Sequence, residues 1–215
     1  GNLWRVSFLD LGGTPTADPD KWTLTKIASL GDPTDTDNTG PYARKFLFAP
    51  SLASINGGYA ILIGSGDREK PFDTTAQNYA YMIKDTDSDL PVRCEGAATR
   101  CDLFNATHHL FSPTNSSPVP PDAKGWFVSL GTGEKTVGSS ATVNGVTYFP
   151  THQANADTGA SCTAALGSAK MWAINFETAS PANMPADGTN TSFQQTTPTP
   201  APKRTLLYRY RENLD

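Results

Sequence analysis

A chain of 215 residues can build one large core or two small ones, but 37% apolar residues and a mean hydropathy of -0.41 are lean for a dense interior. The 18 glycines and 17 prolines make turns frequent and disfavour long helices. A formal charge of -4 and a pI of 5.3 exclude a basic field for nucleic acid or an anionic membrane, and no apolar run approaches the roughly 18 residues of a membrane span.

In chain order the apolar segments are short and read as strands. The sequence opens directly on LWRVSFL at residues 3–9, a partly alternating pattern. A start inside a strand pattern reads as a fragment or processed product of a longer protein, with any targeting signal upstream. A polar loop with Pro15 and Pro19 leads to a second strand at 22–30, and 31–41 is a loop by composition. Residues 46–55 pass through Asn56-Gly57-Gly58 into YAILI at 59–63, the most buried-looking strand. The turn-rich GSGDREKPFD at 64–73 precedes a strand at 79–84. Residues 85–124 form a long insertion with two cysteines, His108, His109 and a Pro-rich end, and one short helix is predicted within 102–110. Strands at 126–130, 141–143 and 146–149 read as an antiparallel meander, whose Asn144-Gly145 turn requires positive φ at both positions. A strand at 169–176, a Pro/Thr/Asn-rich linker over 179–203 and a terminal strand in 204–215 complete the chain.

The strands repeat in type. Residues 1–8, 77–84 and 168–176 are aromatic, alternating strands; 22–30 and 126–130 combine an aromatic with leucine. Small-residue strands at 51–55 and 139–143, Asn-Gly turns and strongly apolar strands at 59–63 and 146–149 follow. This order predicts an all-β chain folded as part of a β-propeller, two to three blades of four antiparallel strands with long loop insertions, spanning residues 1–178. A ring needs at least about four blades, so the blades here are an incomplete set. A two-sheet sandwich is the competing fold.

Cys94 and Cys101 flank a small-residue loop in RCEGAATRC, and Cys162 stands apart. The spacing is poor for a metal site, and a Cys94–Cys101 disulfide suits a loop-rich exported chain. The partner of Cys162 stays open.

Few residues invite chemistry. Asp85, Asp87 and Asp89 alternate like the start of a calcium loop, but Leu90 stands where glycine is expected and Gly96 where glutamate is. Asp32, Asp35 and Asp37 are spaced less well; both sets read as solvated acidic turns. Glu134, and Asp67 with Arg68, suggest acid/base chemistry only if a fold sets carboxylates across a substrate. They read as turn-stabilising groups, Asp67 and Arg68 as an ion pair. His108, His109 and His152 are too scattered for a metal set. The glycine pairs Gly64/Gly66 and Gly131/Gly133 open no helix for phosphate, and no nucleophile elbow is present. Trp4, Trp22, Trp126 and Trp172 are predicted to pack in the core or between blades. No catalytic, cofactor-binding or metal residue is assigned from the residues.

GNLWR at 1–5, GSGDREKP at 64–71, GW with a following GEK over 125–135, YFPTHQ ending at Gln153, and SC followed by LGSAKMWAINF up to Phe176 occur in one order. Together they resemble the C-terminal propeller domain of the PilY family, type IV pilus tip-associated adhesins called PilC in some bacteria. The resemblance covers residues 1–178; the tail matches nothing in it. It implies a non-enzymatic, exported protein of a Gram-negative bacterium, extracellular at the pilus tip or outer surface. There it promotes pilus assembly against retraction, adhesion and twitching motility, with a modified propeller similar to quinoprotein dehydrogenases. Implied partners are pilin or minor pilins, a host or abiotic surface, and the rest of the parent chain. Family members carry a calcium loop before the strand leading into GNLWR, so calcium is implied in a parent protein upstream of residue 1 and no ligand carries over to this chain. Recognition is expected from loops, above all the 85–124 insertion. The alternatives are a quinoprotein-like dehydrogenase fragment and a secreted carbohydrate-binding β-sandwich.

Overall fold

The computed structural model describes residues 1–9, 12–31, 40–86, 91–94, 101–111, 118–155 and 167–182. These residues are nearly all β, arranged in three sheets, none of which closes on itself. In the first sheet β1 (Asn2–Ser7) pairs antiparallel with β2 (Thr23–Ser29), and the short β6 (Val92–Arg93) runs parallel to β2. The middle sheet orders β3 (Ser51–Ile55), β4 (Gly58–Gly64), β5 (Tyr79–Asp85) and β8 (Gly125–Ser129) as antiparallel neighbours, with β7 (Phe104–Asn105) parallel on the outer side of β8. The third sheet is β10 (Ala141–Val143), β11 (Val146–Gln153) and β12 (Ser168–Asn175), and β9 (Glu134–Thr136) pairs with the far end of β11.

Burial explains why the run YAILI is apolar at successive positions rather than alternating. A strand covered on both faces needs apolar side chains on both. Ala60 and Leu62 of β4, Ala80 and Met82 of β5, and Trp126 and Val128 of β8 pack on one side with Phe149, Trp172 and Ile174 of the third sheet. Ile61, Ile63, Tyr81 and Ile83 point the other way, into a second core with Ala28, Leu30 and Val92. Each buried leucine or isoleucine contributes about 1.5–3 kcal/mol, so the middle sheet carries most of the stabilisation. The Trp126 indole N–H donates to the Phe176 carbonyl at 2.7 Å and ties the middle sheet to the end of the third.

The sheets divide the strand types differently from the sequence reading. The sheet boundary falls before the small-residue strand, not before the aromatic one. Thus β3-β4-β5-β8 is the complete four-strand unit, β10-β11-β12 repeats its first three members and β1-β2 its last two. Asn144 (φ 49°) and Gly145 (φ 81°) both adopt the left-handed region the turn requires. At the equivalent turn after β3, Gly57 (φ 79°) is left-handed and Asn56 is not.

Other expectations shift. The insertion's helix is α1 (Thr107–Phe111), while Phe104 and Asn105 of the predicted helical stretch form a strand. Trp126 and Trp172 are core residues, but Trp4 (51% exposed) and Trp22 (39% exposed) are not. They lie on an open face of the first sheet with Val6, Phe8 and Leu24, where Trp22 meets Phe8 edge-on at 4.8 Å and Lys26 lies over the Trp4 ring. Of the expected linker, Ala179 and Ala182 are still buried, and Pro181 bridges to Ile174 of β12. The terminal strand in 204–215 and Cys162 lie outside the described residues.

Candidate functional site

The two ends of the insertion wall a cleft of about 500 Å3 where the ends of the three sheets meet. Its floor is apolar, built from Ile27 of β2, Ile55 of β3, Met82 of β5, Val92 of β6, Val119 and Phe176. Its rim carries both signs of charge: Lys84, Asp85, Asp122, Lys124 and Glu177. The walls are held by main-chain bonds. The Lys84 N–H donates to the Lys124 carbonyl at 2.9 Å, and the Lys84 ammonium reaches the Pro121 carbonyl at 3.1 Å. Arg5 of β1 donates to Asp85 at 2.8 Å, so the first sheet also fixes the rim. An apolar floor under a charged rim is the makeup of a binding cleft.

The insertion itself is pinned by the disulfide between Cys94 and Cys101, which face one another across an isolated antiparallel bridge. Here the expected pairing is present. Of the acidic pattern in its first turn, Asp85 is the ion-pair partner of Arg5; Asp87 and Asp89, like Asp32, Asp35 and Asp37, lie outside the described residues. Among the described residues no group of three or more His, Cys, Asp or Glu side chains could hold a metal ion. No helix of the described residues is long and apolar enough to cross a membrane.

Glu134 occupies the centre of a buried polar knot. Its side chain is fully covered, and four donors converge on it: the Thr151 hydroxyl (2.5 Å) and Trp172 indole N–H (2.8 Å) on Oε1, and the Lys170 ammonium (2.9 Å) and Gly131 N–H (3.0 Å) on Oε2. Burial pushes the carboxyl upward, but the bonds from Thr151, Trp172, Lys170 and Gly131 outweigh it and hold the group below the usual glutamate range. Such a carboxylate has no free lone pair for proton transfer. Its role is to lock β9, β11 and β12 together.

The next two residues reach the other way. The Lys135 ammonium, buried, donates to the carbonyls of Asp73 (2.5 Å), Pro71 (3.3 Å) and Gly133 (3.3 Å). The Thr136 hydroxyl donates to the Ser65 carbonyl at 3.0 Å. This approach explains Gly64 and Gly66: a Cβ on Gly64 would meet Thr136 Cγ2 at 2.1 Å, and one on Gly66 would meet Lys135 Cβ at 2.7 Å. The glycines make room for β9 rather than for a phosphate.

The expected Asp67–Arg68 pair is not formed. Asp67 pairs instead with Lys45 at 2.6 Å, because the residues around 45 run beside the turn and Gly66 N–H bonds the Lys45 carbonyl. Arg68 lies over the Phe48 ring at 5.7 Å. The two neighbouring histidines sit on α1, within the stretch predicted as helix: His108 is exposed, and His109 is buried against Phe104 with Nδ1 3.2 Å from the Thr178 carbonyl. His109 Nε2 has no hydrogen-bond partner among the described residues. His152 lies opposite Lys135 in the β9–β11 register, away from the other two. Sequence reasoning passed over Lys45, Lys170 and Thr151, whose partners stand 17 to 36 positions away. The pattern that could have flagged Lys170 is its alternation with Trp172 on one face of β12.

No protein-family model matches the chain, no curated protein matches it, and no solved structure matches it.

Proposed function

We propose that the chain is a segment of a pilus-tip adhesin and assembly factor of the type IV pilus, built from propeller blades and acting by binding rather than by catalysis. One observation carries the reading beyond the bare motifs. Four of the five stretches that resemble the PilY family contact one another. Lys135 of GEK bonds the carbonyl of Pro71 at the end of GSGDREKP, while Glu134 of GEK holds Thr151 of YFPTHQ and both Lys170 and Trp172 of LGSAKMWAINF. Motifs that depend on one another for their buried hydrogen bonds are coherent as one inherited unit, which scattered matches are not.

The stacking of the middle sheet, whose four antiparallel strands are flanked by β7, between the other two sheets supports the blade reading, since blades bury both faces of an inner sheet in this way. The proposed binding surface is the cleft beside the insertion, with pilin or minor pilins as the occupants and the apolar floor as the anchor. Its rim charges would set orientation and partner choice. The site of action is outside the cell, where the Cys94–Cys101 disulfide persists. Deleting the encoding gene in the source bacterium is the test. Surface pili and twitching should be lost, and removing the retraction motor in the same strain should restore the pili; unchanged piliation after the first deletion would overturn the proposal.

A further inference from the structure

Arg44 is the most deeply buried guanidinium of the described residues, at 6% exposure, and it has no counter-ion among them. Arg5, Lys21, Lys45 and Lys170 each pair with a carboxylate; none of the described ion pairs involves Arg44. Its Nε donates to the Tyr81 hydroxyl at 3.2 Å and one terminal nitrogen to the Pro41 carbonyl at 3.1 Å, while the group lies over the Tyr79 ring at 4.5 Å. Burial pushes the Tyr81 phenol above its ordinary range despite the pull of Arg44, so it stays neutral and is no counter-ion. A guanidinium has five N–H donors and never loses its charge. Arg44 also lines a cavity of about 180 Å3, together with Tyr79, Phe127, Asn105, Ser129 and the Cys94–Cys101 disulfide.

A buried charge without a partner is costly, and Arg is the residue whose planar fork matches a carboxylate. The rest of the cavity indicates what the carboxylate is attached to. Tyr79 and Phe127 meet edge-to-face at 5.2 Å and give a half-buried aromatic wall, suited to the apolar face of a ring. Asn105 Oδ1 is engaged by Thr107, which leaves its amide nitrogen to donate, and Ser129 contributes a hydroxyl. The volume equals roughly six waters, room for one six-membered ring. We propose that this cavity binds a hexuronic-acid residue of an acidic glycan, its carboxylate on the Arg44 fork and its hydroxyls on Asn105 and Ser129. The cavity is separate from the cleft, and the proposal stands whether or not the chain belongs to a pilus.

Glu95 follows Cys94 in the sequence and lies outside the described residues. The test is titration of the whole chain with methyl glucuronide, methyl glucoside and benzoate, followed by amide chemical shifts in wild type, Ser129→Phe, Arg44→Lys and Glu95→Gln. The proposal expects saturable binding of the glucuronide, weakened by salt, with the glucoside about tenfold or more weaker for want of the charge-assisted bonds. Ser129→Phe fills the cavity and should abolish binding. Arg44→Lys keeps the charge, loses the fork and should weaken binding even if the first variant is unstable. Equal binding of both sugars, no binding by the wild type or any variant, or benzoate as tight as the glucuronide would overturn the assignment. Binding that emerges only in Glu95→Gln would overturn it too, by making Glu95 the natural occupant.

Discussion

Replacing Glu134 with glutamine keeps the shape of the knot and removes its charge, which makes it the sharpest test of what holds the third sheet. A carboxylate accepts all four bonds; an amide accepts on one side only and turns an NH2 toward the other. If the NH2 faces Oε2's former partners, it meets the Lys170 ammonium and the Gly131 N–H; if it faces the others, the Trp172 indole loses its 2.8 Å bond to the carboxylate and keeps the longer one to the Thr151 hydroxyl at 3.2 Å. Lys170 has a side chain only 13% exposed, so its charge is left largely buried and unpaired. Stranding one member of such a pair costs about 3–5 kcal/mol, and at about 2–4 °C per kcal/mol for a chain of this size the melting temperature should fall by roughly 10 °C. The pH profile gives the sign independently. Because the folded carboxyl sits below the ordinary value of 4.5, its stabilisation is complete above that pH and is lost as pH falls through the folded value. Urea unfolding from pH 7 down to pH 3 should therefore show a steep acid limb in the wild type and a flatter one in Glu134→Gln. Adding Lys170→Met to Glu134→Gln should recover about 1–3 kcal/mol, the coupling expected of contacting residues. A Glu134→Gln variant within about 0.5 kcal/mol of wild type, with the same acid limb, would refute the reasoning.

Three further outcomes follow from the same structure. Converting Cys94 and Cys101 to alanine should lower stability by about 2.5 kcal/mol, the loop-entropy value for so short a closure, and intact mass before and after reduction should differ by two protons in the wild type. Asp67→Asn should cost about 1 kcal/mol at pH 7 in urea unfolding, since the Lys45 pair is only partly covered. There burial pushes the aspartate upward, while Lys45 and the Glu69 N–H pull it below its ordinary 3.8, so the difference between wild type and variant should vanish as the acid limb is passed. Leu24→Lys, at a side chain 63% exposed on the open face of the first sheet, should leave the unfolding midpoint unchanged and reduce light scattering at high concentration. A loss of more than about 1 kcal/mol would mean that face is covered.

The strand pattern was legible where one physical cause dominates. YAILI announced a strand buried on both faces, and Asn144-Gly145 announced its turn, because both depend on local chemistry alone. β9 was not legible: Glu134, Lys135 and Thr136 are polar, and they form a strand only because Gly64 and Gly66 let them approach and Glu134 finds four donors on distant elements. The tryptophans misled for a different reason. Apolar residues fill the interior, but the surface also holds many of them, so hydrophobicity could not separate Trp4 and Trp22 from Trp126 and Trp172. The same limit governs the candidate sites. The cleft joins Ile27, Met82, Val119 and Phe176 from separate elements, and the Arg44 cavity joins residues as far apart as 44 and 129, with no spacing rule to connect them.

Action at the tip of a type IV pilus, as proposed, can be checked by immunogold labelling of the source bacterium with antibodies raised against the purified chain. Gold should lie at the distal ends of sheared and cell-attached pili, absent in the deletion strain and restored by the wild-type gene. Label confined to the cytoplasm, or dispersed over the cell with none on pili, would contradict it.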